Sequence, residues 1–301
     1  MRIPELSYTF EDDQYVHRQA CLRVGGLSIR ATAITTAGNI DRDNQDAFGF
    51  TAFDDHISAA VFDGAVSREA SHYARELFEA ADNHNPAAML CAINQKLAAY
   101  DLDGGASTGT ILGITRQGAI GLGHVSDSWA MAWLHDGTTR LLTTDQHERF
   151  DSRALETMSQ VALDEGLDIS VPKQHAQARQ HPAVKQALSA MFNTVRNAPD
   201  GSGEGILNGD PFMTQYVQTL AQPLMADQVR AILLGSDGAR LPYQTERDSA
   251  YRLKLFQLVA EQGVAETVGT IHRQESVYPP TIAHPRWSFH DDKTLIELSF
   301  L

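Results

Sequence analysis

Five carboxylates are notable for where they fall, each at the end of an apolar run. Ala59-Ala-Val-Phe62 runs into Asp63-Gly64, and Ile232-Leu-Leu-Gly235 runs into Ser236-Asp237-Gly238. Gly121-Leu-Gly-His-Val125 runs into Ser126-Asp127-Ser128. Asp46 stands just ahead of Ala47-Phe-Gly-Phe50, and Asp291-Asp292 just ahead of the apolar stretch from Thr294 to Phe300. Singly, each is an ordinary turn or strand terminator. Together, on strands stacked in two sheets, their ends can converge. Carboxylates that close repel one another unless cations intervene. Hard oxygen donors then point to Mg²⁺ or Mn²⁺ and away from zinc. The twelve histidines form no H-x-H or H-E-x-x-H pattern, and Cys21 and Cys91 match no zinc spacing. Both cysteines are expected to be buried free thiols.

The elements that must position these carboxylates follow from periodicity. Strands are expected at 28–34, 47–53 and 57–62, the last two joined by the turn-prone Asp54-Asp55-His56. A helix is expected from an N-cap at Ser67, with Ala70, Tyr73, Ala74, Leu77 and Phe78 on one face. A second runs from Pro86 to Tyr100, with Met89, Leu90, Ile93, Leu97 and Ala98 at helical spacing. Strands return at 108–115, 118–125, 128–134 and 139–142, with hairpin signals at Gln117-Gly118 and Asp136-Gly137. Helical stretches at about 151–166 and 182–195 precede a Gly-rich loop at 196–210. A strand at 229–235, helices at 248–262 and 264–273, and a strand at 294–300 complete the chain. Helices do not alternate singly with strands, which disfavours a doubly wound parallel sheet. An α+β fold of two mostly antiparallel sheets with helices outside fits the order.

The 301 residues are 43% apolar and 21% charged, an ordinary globular composition. No apolar run is long enough to span a bilayer, and Met1-Arg2-Ile-Pro-Glu-Leu lacks the layout of a signal peptide. A cytoplasmic protein with no membrane partner is the expectation. A formal net charge of -14 disfavours nucleic acid as a partner, because no basic stripe is available for phosphates. It suits a site that gathers cations.

The motifs, in order, resemble those of the PP2C (PPM) family of metal-dependent protein serine/threonine phosphatases, in its bacterial form. Gly38-Asn-Ile-Asp-Arg-Asp-Asn-Gln-Asp46-Ala47 resembles the opening Arg…Asn-Glu-Asp motif, and Val61-Phe-Asp63-Gly64 the Asp-Gly motif. Gly105-Ala-Ser-Thr108 resembles Gly-(Ser/Thr)-Thr, Val125-Ser126-Asp127-Ser128 resembles Gly-Asp-Ser, and Leu142-Thr-Thr-Asp145-Gln-His147 resembles Leu-Thr-x-Asp-His. Leu234-Gly-Ser-Asp237-Gly238 resembles Ser-Asp-Gly, and Asp291-Asp292-Lys293-Thr294 the closing Asp-Asn-x-Thr. The loop from Arg196 to Asp210 is similar to a segment of bacterial members.

The resemblance implies convergence, which spacing alone leaves open. It implies a four-layer αββα sandwich forming one phosphatase domain over 1–301, with a helical flap inserted at about 147–227. It also implies two or three Mn²⁺ or Mg²⁺ ions. Asp63 would bridge two of them, with the Gly64 carbonyl on one and Asp237 and Asp291 on the other. Asp46 would act nearby, partly through water, and Asp127 with Asp237 would serve a third. The implied reaction is attack of a metal-bridging water on a phosphoserine or phosphothreonine of a protein substrate, opposing a serine/threonine kinase. A catalytically weak regulatory module and a hydrolase of small phosphorylated molecules are the alternatives.

Three departures bear on this. The family's phosphate-gripping arginine falls at Asp41, leaving Arg42, one residue later, as the substrate-binding candidate. Ala65 replaces the histidine of animal members, and Val66-Ser67 stand where glycines are usual; a metal-bound water or His72 would supply the proton instead, His72 being otherwise expected as an exposed helix histidine. Ser126 and Asp292 stand where glycine and asparagine are usual.

Overall fold

The computed structural model describes residues 15–39, 42–102, 104–244 and 246–301. The N-terminal stretch Met1–Leu6 and Asp41 lie outside them. The apolar and alternating runs become strands of two sheets. The first has the order β1 (Tyr15–Val24), β2 (Leu27–Thr36), β13 (Lys293–Phe300), β12 (Val229–Gly235), β9 (Trp129–Leu134), β10 (Thr139–Leu141). The second runs β11 (Leu224–Met225), β8 (Ala119–Val125), β7 (Gly109–Thr115), β4 (His56–Phe62), β3 (Ala47–Ala52). A short ladder pairs β5 (Gly64–Ala65) with β6 (Ala106–Ser107). The strand pairs of all three sheets are antiparallel.

The central strands are buried on both faces, which is why they read as continuous apolar runs. In β4, Ala59 and Val61 face the other sheet and meet Phe48, Leu112, Ile232 and Ile296. Ala60 and Phe62 face outward and meet Phe78 and Leu90 of the helices α1 (Glu69–Glu79) and α2 (Pro86–Leu97). On the opposite side, Leu255, Phe256, Val268 and Ile271 of α6 (Ser249–Val277) cover Ile34, Met131, Leu233 and Leu295. The result is the expected four-layer αββα sandwich. Each fully buried large apolar side chain contributes roughly 1.5–3 kcal/mol, so the layers are held by many small terms.

Four details differ from expectation. Ser67 is not an N-cap: Arg68 holds that position without a side-chain cap, and Ser67 Oγ donates to the Leu102 carbonyl. β1 was not foreseen, because His17, Arg18 and Arg23 dilute its alternation, leaving only Val16, Leu22 and Val24 fully inward. Cys21 is exposed on that strand and Cys91 is half-buried, so the thiols are free but not buried. The two expected C-terminal helices are present as α6, broken at Gly263 (φ 80°, ψ 168°) and running on to Val277.

Residues 148–194 form a helical lobe of α3 (Glu148–Glu165), α4 (Pro172–Gln180) and α5 (Pro182–Thr194). It has its own core of Met158, Val161, Ala162, Ile169, Ala178 and Val184. Ile282 and Trp287, from the segment ahead of β13, pack against that core and tie the lobe to the sandwich. The polar sequence of α4 buries only His175 and Ala178, so its helical period is weak in the sequence. No helix among the described residues is long and apolar enough to cross a membrane.

Candidate metal and phosphate site

Strand register brings the five carboxylates to one end of the sandwich. In the second sheet Ala47 pairs with Phe62, so Asp46 before β3 and Asp63 after β4 lie side by side. Val61 pairs with Thr110 and Gly109 with Val125, which puts the end of β8 at that same edge. In the first sheet Gly235 pairs with Leu295, placing Asp237 beside the Asp291-Asp292 entry to β13. Gly235 also pairs with Trp129. The segment Ser126-Asp127-Ser128 therefore crosses from one sheet to the other at the mouth of the cleft. The Asp237 amide donates to Asp63 Oδ2 at 3.4 Å, closing the ring between the sheets.

Burial and mutual repulsion dominate the electrostatics. Asp46 is 1% exposed; the other four are half-buried. Burial, then the charges of Asp292, Asp237 and Asp291, push the Asp46 carboxyl well above its usual range, against a hydrogen bond from Ser236. Burial, then Asp46, Asp237 and Asp127, do the same to Asp63. Burial raises Asp127 to about 8, although the nearby His147 charge opposes it. Asp291 is raised by burial and by Asp237. Asp46 Oδ2 and Asp127 Oδ1 are buried without a hydrogen-bond partner. Unpartnered, mutually repelling, all-oxygen donors fit hard divalent cations.

The surrounding residues hold these groups in place. Asn44 Oδ1 accepts from the Asp46 amide at 3.1 Å, and Asn44 Nδ2 donates to Thr35 Oγ1 at 2.8 Å. Ser236 Oγ accepts from the Thr294 amide, and its carbonyl accepts from Trp129 Nε1, both across the first sheet. Glycine beside the acids is explained by crowding. A Cβ on Gly64 would lie 2.4 Å from the Gln45 carbonyl oxygen, and one on Gly238 would lie 2.0 Å from that of Asp292. Asp292 accepts from the Gly38 amide at 2.8 Å and the Gln45 amide at 2.7 Å. It thereby clips the opening loop to the closing one. An asparagine there would present an N–H₂ to one of those donors, so the carboxylate suits the double clip.

Several supporting residues carry no sequence signal. Lys293, 0% exposed, donates to the Asp291 carbonyl at 2.5 Å and pairs with Glu275 of α6 at 2.7 Å. Arg240 donates to the Asp127 carbonyl at 2.8 Å and pairs with Glu246 at 2.7 Å. His147 Nδ1 lies 2.7 Å from the buried Glu204, from the Gly-rich loop. Burial works against the His147 charge, yet Glu204 and Asp127 raise its pKa to about 10. His147 does stand in the Leu-Thr-x-Asp-His segment, but its pairing with Glu204, like the roles of Lys293 and Arg240, is visible only as a three-dimensional contact.

The sequence matches no family model, and no curated protein matches it significantly. Solved structures do match the fold. A serine-threonine phosphatase 2C from Toxoplasma gondii superposes with a TM-score of 0.56 at 14% identity, covering 95% of this chain and 99% of that one. The RsbX structure in complex with magnesium gives 0.53 at 13%, covering 94% and 100%. The serine/threonine phosphatase Stp1 from Staphylococcus aureus gives 0.53 at 16%, covering 92% and 97%.

This chain has the PP2C fold.

Within that fold the departures become specific. Val66 and Ser126, both standing where the motifs have glycine, adopt φ of 78° and 70°. They keep a left-handed backbone that favours glycine and is strained for a β-branched residue. His72, the substitute acid, is fully buried with Nε2 3.3 Å from the Asn44 carbonyl. Burial and then the Arg75 charge lower it to about 3, so it is neutral at physiological pH. Arg42 is exposed and lines a groove beside Asp291. A separate cavity of about 220 Å³ exposes Asp237 and Asp291 beneath Trp287, whose Nε1 donates to Asp151 of α3.

Proposed function

We propose that this chain is a metal-dependent phosphatase acting on phosphoserine and phosphothreonine in proteins, working in the cytoplasm opposite a serine/threonine kinase. The observation that carries the reading is the register-enforced convergence of Asp46, Asp63, Asp127, Asp237 and Asp291, with two buried carboxylate oxygens left without partners. Two of the similar structures are serine/threonine phosphatases, and RsbX was solved in complex with magnesium, which supports the same reading. The chain is read as one phosphatase unit, with the helical lobe inserted beside the site.

In this proposal Asp63, the Gly64 carbonyl, Asp237 and Asp291 would hold two Mn²⁺ or Mg²⁺ ions. Asp46 stands close by, and Asp127 with Asp237 accommodates a third. Bound ions supply Lewis-acid activation of water and offset charge developing on the phosphoryl oxygens. The chain's own residues do the rest. Asn44 fixes Asp46. Lys293 and Asp292 fix the loop carrying Asp291 and press it against the opening loop. Arg42 binds the phosphate group. His72 does not serve as a general acid, because its ring is buried, neutral and directed at a backbone carbonyl.

Hydrolysis of p-nitrophenyl phosphate tests the chemistry. Turnover is expected with Mn²⁺, is abolished by EDTA, and collapses in Asp237→Asn. Folded protein without turnover in any metal, on phosphopeptides as well, would favour a second reading. The absence of an ionisable side chain at Ala65 and the neutral, buried His72 support it: a module that binds phosphoproteins without hydrolysing them.

A further inference from the structure

A groove of about 820 Å³ opens beside the carboxylate site. Among the described residues its charged or titratable walls are Arg42, Arg179, His175, His272 and His290, together with Tyr15; no aspartate or glutamate lines it. That is unusual in a chain of net charge -14. A cleft lined by one sign of charge focuses its field and concentrates the opposite ion.

Arg179 is the informative residue. It lies on α4, one helical turn past His175, so both project from the same face. His175 Nε2 sits 2.8 Å from the Arg286 carbonyl, and its ring packs edge-on against Phe289 at 5.2 Å. This contact docks α4 on the segment leading to Asp291 and aims Arg179 into the groove. The guanidinium is half-buried and makes no hydrogen bond or ion pair among the described residues. Burial and the charge of Arg42 both work against its charge, and Asp291 is the group that favours it. A half-buried guanidinium with no carboxylate on it and a second arginine nearby is a poor arrangement without an anion to hold. The planar fork of arginine suits carboxylate or phosphate.

We propose that Arg179 forms an anion subsite next to the phosphate-binding Arg42, and that the preferred substrate carries an acidic group beside its phosphorylated residue. This rests on the phosphatase reading above and adds the substrate's local chemistry. The inserted lobe supplies one arginine and the opening loop the other, so substrate selection joins the two parts of the molecule.

The test is a set of phosphoserine peptides identical except for the flanking residue: aspartate, a second phosphoserine, asparagine or lysine. With wild-type protein in Mn²⁺, kcat/KM for the aspartate peptide should exceed that for asparagine by about tenfold, as a partly desolvated charge pair gives. The ratio should shrink in 0.5 M salt. Arg179→Ala should bring it to about one, and Arg179→Glu should favour the lysine peptide, a reversal that misfolding cannot imitate. The second-phosphoserine arm decides whether carboxylate or phosphate is the better occupant. Equal kcat/KM for all peptides in the wild type, or an unchanged ratio in both variants, overturns the subsite. If no substrate turns over, the phosphatase reading fails instead. Binding of the same peptides, followed by fluorescence anisotropy, then decides the subsite by the same ratios.

Discussion

The carboxylate cleft and the arginine groove meet along the segment from Ser288 to Asp291, where Ser288 lines the groove and donates to Asp291, and they are built in opposite ways. The cleft gathers like charges by strand register: Asp46, Asp63, Asp127, Asp237 and Asp291 lie on ends that pairing forces together. The groove gathers like charges by docking: Arg179 arrives on a helix of a separate lobe, steered by His175 against Phe289 and the Arg286 carbonyl. A sheet edge is rigid and cooperative, so repulsion there is held in place until cations relieve it. A docked helix can be changed residue by residue without disturbing the sandwich. Under the proposed function, the chemistry would belong to the sheets and selection to the lobe.

The largest effect should come from breaking the cleft. Asp63→Asn removes the carboxylate nearest the centre of the ring, and turnover of p-nitrophenyl phosphate should fall by about 10³-fold or more. The same variant should retain the charge preference of peptide binding, because Arg179 and Arg42 are untouched. Loss of both together would mean that the regions are not separable.

Next in size is the buried clip between them. Lys293 is sealed among Glu275 and the Asp291 carbonyl. Lys293→Met leaves Glu275 with a buried, weakened ion pair and should cost about 3–5 kcal/mol of stability, measured by chemical denaturation. A loss within about 0.5 kcal/mol, the range of an ordinary surface substitution, would show that β13 does not depend on this pair. Lys293 also marks how far the sequence could be read. Motif order revealed the acids, their strands and the layered fold, because each strand end is a local pattern. Lys293, Arg240 and Arg179 gave no such sign, and His147 was legible only as the last residue of the Leu-Thr-x-Asp-His segment. Lys293, Arg240 and His147 act through partners from 18 to more than 100 positions away, Glu275, the Asp127 carbonyl and Glu204, while Arg179 is placed by the docking of its helix. β1 and α4 were missed for a related reason: polar residues blur their periods, and tertiary packing decides them.

A smaller effect should appear in the pH dependence of the metal-free protein. Burial holds the Asp127 carboxyl at about 8 in the folded state, against an ordinary value of 3.8. The folded state then holds a proton that the unfolded chain has released. Stability from this group is full below pH 3.8 and is lost as pH rises toward and through about 8. Thermal melts in EDTA should therefore shift downward by a few degrees between pH 5 and pH 8, more in the wild type than in Asp127→Asn. Mn²⁺ should recover the loss at pH 8. Equal pH slopes in both proteins would remove Asp127 as the source.

The smallest effect sharpens the comparison from the side of backbone strain. Val66 and Ser126 flank the cleft at φ of 78° and 70°. In an L-residue this backbone costs about 1–2 kcal/mol relative to the right-handed region, and a β-branched side chain makes it worse. Glycine meets no such penalty, though it loses more entropy on folding. Val66→Gly should therefore stabilise the protein by about 1 kcal/mol, and Ser126→Gly by less, since Ser126 Oγ also contacts Glu204 at 3.5 Å. Denaturation midpoints of the two variants give the order. If Val66→Gly is neutral or destabilising, the loop after Asp63 gains from Val66 something other than its backbone angle. A stabilised variant with unchanged turnover would show that the cleft does not use the strain. The carboxylates would then owe their geometry to register and clips alone.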